Sequence, residues 1–154
     1  MPSPMTDDRK FDELLMDSYR RSVGEALVPA EYGTQAEAVR WLYQEAPFCV
    51  LAHDLSPDPV FVYVNKSTQR AFEYSQDEFI GMPSRLSAGP PDRSERQELM
   101  DAVRAQGFVT GYRGLRVAKS GRQFWIEDVT IWNIVDEKRV RHGQAALIRR
   151  CVDA

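Results

Sequence analysis

Cysteine and histidine are scarce in this chain: two of each among 154 residues. A metal site needs several ligands at suitable spacing, and Cys49, Cys151, His53 and His142 lie too far apart in sequence to suggest one. No apolar run approaches the roughly 20 residues that cross a bilayer. The start, Met1 to Lys10, is polar and charged and lacks the apolar stretch of a secretory signal. A reducing, cytoplasmic setting is therefore expected, with both cysteines as free thiols and not a disulfide. Positive charge is not in excess either. Lys plus Arg number 20 against 23 Asp plus Glu, for a net charge of −3 and an isoelectric point near 5.4. That removes the bulk electrostatic footprint of a nucleic-acid binder, and Arg149-Arg150 is too short to replace it. There is no glycine-rich phosphate loop: Gly111-Tyr-Arg-Gly114 lies in a strand-like run and lacks the Lys-Ser/Thr ending. His53-Asp54 has no nucleophile motif to serve and reads as a strand end, so no catalytic constellation is present and no enzyme is expected.

What is present is ordinary globular material, 43% hydrophobic, 28% charged and 10% aromatic. At a typical domain size of about 150 residues this is one domain. Residues 1–45 read as a helical N-terminal extension. Thr6 or Asp7 can cap a helix whose apolar positions Phe11, Leu14, Leu15, Tyr19 and Val23 follow the helical period. Gly24, Pro29 and Gly33 interrupt it, and Thr34-Gln-Ala-Glu37 is a capping box opening a second helix that ends before Pro47. From 46 to 150 the texture changes. Phe48–Ala52 and Val60–Val64 read as a strand pair, followed by a helical passage over 66–72. A second capping box stands at Ser75-Gln-Asp-Glu78, and a third capped helix begins at Asp92-Arg-Ser-Glu95. Three strands close the chain: Phe108–Lys119, Gln123–Val135 and Arg139–Ile148, with turns at Ser120-Gly121 and Asp136–Lys138. Hairpin-linked strands separated by short helices predict an α+β fold, one antiparallel sheet flanked by helices.

Tyr63-Val-Asn65, followed by Phe72-Glu-Tyr-Ser75-Gln-Asp-Glu78-Phe-Ile-Gly81, resembles the core signature of PAS domains. Lys119-Ser-Gly-Arg-Gln-Phe-Trp125, the Asp136–Lys138 turn and Gly143-Gln144 resemble that superfamily's closing hairpin. Pro83–Pro91 and Lys119–Arg122 are similar to the PAS-like branch called MEKHLA. The resemblance implies a five-stranded antiparallel sheet whose concave face lines a cavity, and a sensory or regulatory role exerted through protein contacts. Flavin-binding light-oxygen-voltage (LOV) domains are a further comparison, and here the likeness breaks. The photo-adduct cysteine falls at Ser84, whose hydroxyl cannot act as a thiolate. The two asparagines that would face the flavin edge fall at Arg116 and Ile126. A flavin is not expected, and the cofactor is left unknown.

Side chains alternate along a strand. By register with the family, Ile126, Asp128 and Thr130 point inward with Arg116 and Tyr112, alongside Phe124 and Trp132. The pocket candidates are completed by Asn65, Ser84, Arg85, Arg96 and Gln144. Arg116 could hold a carboxylate or phosphate as a forked pair; the alternative is an Arg116–Asp128 ion pair within a filled interior. The outer set, Leu115, Val117, Trp125, Val129 and Ile131, would form an apolar patch covered by the N-terminal helices or by a second subunit of a homodimer. Two functions stay open: a small-ligand sensor, and a ligand-free dimerisation or interaction module.

Overall fold

The computed structural model describes residues 8–88 and 93–154, apart from the side chains of 8–9 and 93–96. The elements run α1 (Asp8–Val23), α2 (Gln35–Gln44), β1 (Cys49–His53), β2 (Phe61–Val64), α3 (Lys66–Phe72), α4 (Gln76–Phe79), α5 (Arg93–Gln106), β3 (Phe108–Val117), β4 (Gln123–Val135) and β5 (Arg141–Asp153). Short 3₁₀ turns stand at Ala30–Tyr32 and Ser84–Ser87. The strands make one antiparallel sheet in the order β2-β1-β5-β4-β3.

Local chemistry sets these boundaries. Thr34 Oγ1 accepts from Glu37 N at 3.2 Å while Thr34 N donates to Glu37 Oε1 at 3.1 Å, the reciprocal box read from the sequence. Ser75 and Glu78 form the same arrangement at α4. The caps expected for α1 and α5, at Thr6 or Asp7 and at Asp92, lie outside the described residues. Gly24 and Gly107 end α1 and α5 with φ of 89° and 93°, a region open to glycine at little cost.

The sheet separates two apolar cores. On the outer face, Phe11, Leu15 and Tyr19 of α1 and Leu42 of α2 pack against Val50, Ala52, Trp132, Ile134, Ala145 and Leu147. Trp132 is fully buried there, donates through Nε1 to Ser18 Oγ at 3.0 Å and meets the Tyr19 ring edge-on at 4.8 Å. On the inner face, Phe72, Phe79 and Val103 from α3, α4 and α5 close over Leu51, Phe61, Phe124, Ile126, Val129, Ile131 and Ile148.

The faces of β4 differ from strict alternation. Asp128 has φ of +53°, and opposite the span Tyr112–Gly114 of β3 the fourth strand runs from Val129 to Ile126, one residue more. This bulge turns the rest of β4 over. Phe124 and Ile126 face inward as expected, but so do Val129 and Ile131, which the sequence had placed outward. Thr130 and Trp132, expected inward, lie on the outer side, and Asp128 itself is exposed. The outer patch reduces to Leu115, Val117 and Trp125, which belong to neither core. Val152 joins them opposite Trp125, so the patch crosses β3, β4 and β5 beyond the part of the sheet that α1 covers.

Candidate functional site

Between the inner face of the sheet and α3–α5 lies a cavity of about 70 Å³ of water-accessible space. Its walls are mainly apolar: Leu51, Phe61 and Phe72 on one side, Ile126, Val129 and Ile131 on the other, with Leu99 and Met100 of α5 above. The polar residues that converge on it are Arg116, Gln144, His53 and Ser87. Mostly apolar walls with a few placed polar groups are the ordinary make-up of a small-molecule site.

Backbone geometry positions each of these groups. Tyr112, Gly114 and Arg116 share the inner side of β3, and Gly114 is what lets the other two meet. A Cβ at 114 would fall 2.3 Å from Tyr112 Oη and 2.9 Å from the near Arg116 guanidinium nitrogen. That guanidinium donates to Leu115 O at 2.8 Å, reaches Tyr112 Oη at 3.5 Å and lies 5.7 Å from the tyrosine ring centroid. Ala88 bridges to Arg116 through the backbone, and Ser87 Oγ donates to Ser84 O at 2.8 Å, which fixes the loop closing this end of the cavity.

At the other end, Gly143 admits the close approach of β1, since a Cβ there would meet His53 O at 2.3 Å. His53 Nδ1 sits 2.9 Å from Asp54 O. The Asp54 carboxyl is raised by burial, but this is outweighed by donation from Ser56 Oγ (2.7 Å), Val60 N (3.1 Å) and Ser56 N. Its pKa is lowered overall, which keeps the side chain ionised in the turn.

Gln144 connects the cavity to the helices. It stands opposite Asn133 and donates to Asn133 Oδ1 at 3.4 Å. Asn133 Nδ2 donates to Val103 O of α5 at 3.0 Å, Asn133 N to Gly107 O at 3.0 Å, and Asn133 O accepts from Ser22 Oγ of α1 at 3.4 Å.

Of the residues expected from the sequence, Arg116, Ile126 and Gln144 line this cavity and Tyr112 adjoins it through Arg116. The others do not. Asn65 is fully buried and spent on structure: Oδ1 accepts from Val50 N, Thr68 N and Thr68 Oγ1, and Nδ2 donates to Leu42 O and Phe48 O. Ser84 is buried in its 3₁₀ turn, away from the cavity wall. Arg85 is exposed and paired with Asp58 at 3.1 Å. Asp128 faces Arg149 at 3.8 Å, not Arg116, because the bulge carries it out of the interior. Thr130 accepts from the Arg149 guanidinium at 3.0 Å on the opposite face. The Arg96 side chain lies outside the described residues. The sequence reading missed His53, Ser87, Val129 and Ile131. His53 follows from the alternation Cys49, Leu51, His53 on one face of β1, whereas Val129 and Ile131 needed the bulge to be recognised.

The cavity does not fit a flavin. Small-molecule pockets commonly measure about 300–1,000 Å³, several times this space, and Ser84 and Arg85 face elsewhere. Among the described residues no group of three or more His, Cys, Asp or Glu could hold a metal, and no helix is long and apolar enough to cross a membrane.

A five-stranded antiparallel sheet flanked by helices is the frame the PAS resemblance implied, and the family comparison decides the branch. The model of the MEKHLA domain matches residues 9–151. The chain belongs to the MEKHLA domain family. The match begins inside α1, so both N-terminal helices fall within this MEKHLA domain's matched span.

Solved structures share the fold. The PAS domain of a protein from Colwellia psychrerythraea is 23% identical, with a TM-score of 0.62, covering 75% of this chain and 92% of that one. The LOV domain of a blue-light activated histidine kinase from Erythrobacter litoralis is 22% identical at a TM-score of 0.58, covering 71% and 97%. The LOV protein of Rhodobacter sphaeroides is 14% identical at 0.59, covering 71% and 62%. No curated protein matches the sequence.

Proposed function

We propose that this MEKHLA domain is a non-catalytic sensory or regulatory module that takes a small polar or anionic ligand into the cavity under α5 and answers with a change in protein contacts. The observation that carries this reading is the convergence of Arg116, Gln144, His53 and Ser87 on one mainly apolar space. A space of about 70 Å³ suits an occupant of a few non-hydrogen atoms, of the order of a short carboxylate. The Arg116 fork is the group suited to an anionic end.

The response has a path. An occupant that draws the Gln144 amide toward itself competes with the long 3.4 Å bond to Asn133. Asn133 in turn holds the last turn of α5 and the end of α1. Output then falls on the outer patch of Leu115, Val117, Trp125 and Val152, which we assign to a second copy of the chain. Arg113 stacks on Trp125 at 3.8 Å and pairs with Glu127, which Arg150 also contacts. The patch is therefore rimmed by both charge signs, as a self-complementary surface requires.

This patch also favours the second reading, a ligand-free dimerisation module acting in the same cytoplasmic setting. Native mass spectrometry of the purified protein separates the two. A small molecule retained by the wild type and lost in Arg116→Ala supports sensing. An apo mass with a stable dimer supports the second reading.

A further inference from the structure

We propose that Cys151 and Cys49 form a peroxide-responsive thiol pair, reduced as described here and closing to an intrachain disulfide on oxidation. The strand register sets them on one face of adjacent strands, with Cys151 three residues past the Ile148 that stands opposite Cys49. Cys49 stands opposite Ile148 and Cys151 opposite Ile126, and residues directly opposite in an antiparallel pair share a face. Ile148 and Ile126 both face the inner core, so both cysteines do, although one begins β1 and the other lies near the end of β5. This needs β5 to change face between 148 and 151, alongside the bulge at Asp128 in the strand it pairs with, which is why alternation alone does not reveal the pair. The two cysteines line one surface crevice.

The surroundings divide the labour. Cys151 is exposed and Cys49 is 6% exposed, so oxidant meets Cys151 first. Arg70, Arg149 and Arg150 line the same crevice, and Arg122 adds its field at Cys151. An electropositive, partly open site is where thiolates are favoured. Donation from the Cys49 thiol lowers the Cys151 pKa, outweighing burial and helped by Arg122. The Cys49 thiol is pushed up by the contact with Cys151 and by burial.

The chemistry balances with hydrogen peroxide as the two-electron oxidant. The Cys151 thiolate attacks one peroxide oxygen and the O–O bond breaks. The departing hydroxide takes a proton to become water, leaving a sulfenic acid. Cys49 sulfur then attacks Cys151 sulfur and displaces the hydroxyl, which leaves as a second water with the Cys49 proton. Two thiols become one disulfide and one peroxide becomes two waters.

The test is peroxide titration of the whole chain, read by intact mass, thiol alkylation and a non-reducing peptide map. The expected result is loss of both free thiols together, a mass lower by two hydrogens, a Cys49–Cys151 cross-linked peptide, and full reversal by dithiothreitol. In Cys49→Ser, Cys151 should instead accumulate as a sulfenic acid trapped by dimedone. Oxidation of Cys151 in the wild type with Cys49 still free would overturn the proposal. So would two intact thiols at peroxide levels that oxidise free cysteine.

Discussion

Asp128 decides which side chains of β4 reach the cavity. Its φ of +53° is a conformation that costs most residues about 1 kcal/mol or more and that glycine adopts freely. Asp128→Gly is therefore expected to leave stability unchanged or raise it by up to about 1 kcal/mol, and Asp128→Val to lower it by about 1–2 kcal/mol. Urea unfolding of the two variants checks this, and equal midpoints would contradict the bulge. Asn65 gives the opposite case. Its five hydrogen bonds tie α2, β1 and α3, so Asn65→Ala should cost about 3 kcal/mol or more in the same experiment. The sequence showed that Asn65 sits at a helix start but could not show that its amide is consumed there. A bulge leaves little trace in a period-2 pattern. The trace here was a charged residue inside the run Ile126 to Trp132, of a type that tolerates the left-handed region.

Among the helices, α1 packs most broadly on the sheet, against β4. On the strict alternation expected for β4, Trp125 faces outward and Trp132 inward, so Trp125→Glu would disturb assembly more than Trp132→Glu. The structure keeps Trp125 outward but puts Trp132 on the outer side as well, under α1. Trp132 is buried under α1, and a carboxylate there should unfold the domain, a loss of about 3–5 kcal/mol or more from packing alone. Trp125→Glu should fold and change only assembly. Circular dichroism with sedimentation separates the two outcomes.

The β3–β4 hairpin is held to the helices by ions. Lys119 bonds Glu78, while Arg122 Nε and Ser120 N bond Glu73. The bond from Lys119, with Ser75 N beside it, lowers the Glu78 pKa from 4.5 to about 2. A carboxyl lowered in the folded state stabilises it above the unfolded value and loses that contribution as pH falls. Thermal midpoints should thus drop between pH 4.5 and about 2, and less steeply in Lys119→Met. A midpoint that is flat across this range would contradict the assignment. Helix starts were legible because capping boxes are local in sequence. The ties from Glu78 to Lys119 and from Glu73 to Arg122 span more than forty residues and were not.

For the whole molecule, the two cysteines that lie far apart in sequence line one crevice, because β1 and β5 are adjacent strands. The α+β class was readable from strand and cap spacing and the PAS-like sheet from the resemblance its motifs carry, whereas α1 covers Val50, Trp132, Ile134 and Leu147 and not the patch expected from the sequence. Removing residues before Thr34 uncovers Trp132, Ile134 and Leu147, so the truncated chain should aggregate or change oligomeric state. A soluble truncation with the parent's sedimentation profile would contradict that. The central claim concerns the cavity, and native mass spectrometry of wild type beside Arg116→Ala tests it most directly. The account predicts a bound species of a few non-hydrogen atoms on the wild type alone; an identical apo mass for both proteins, at every condition that keeps them folded, would contradict it.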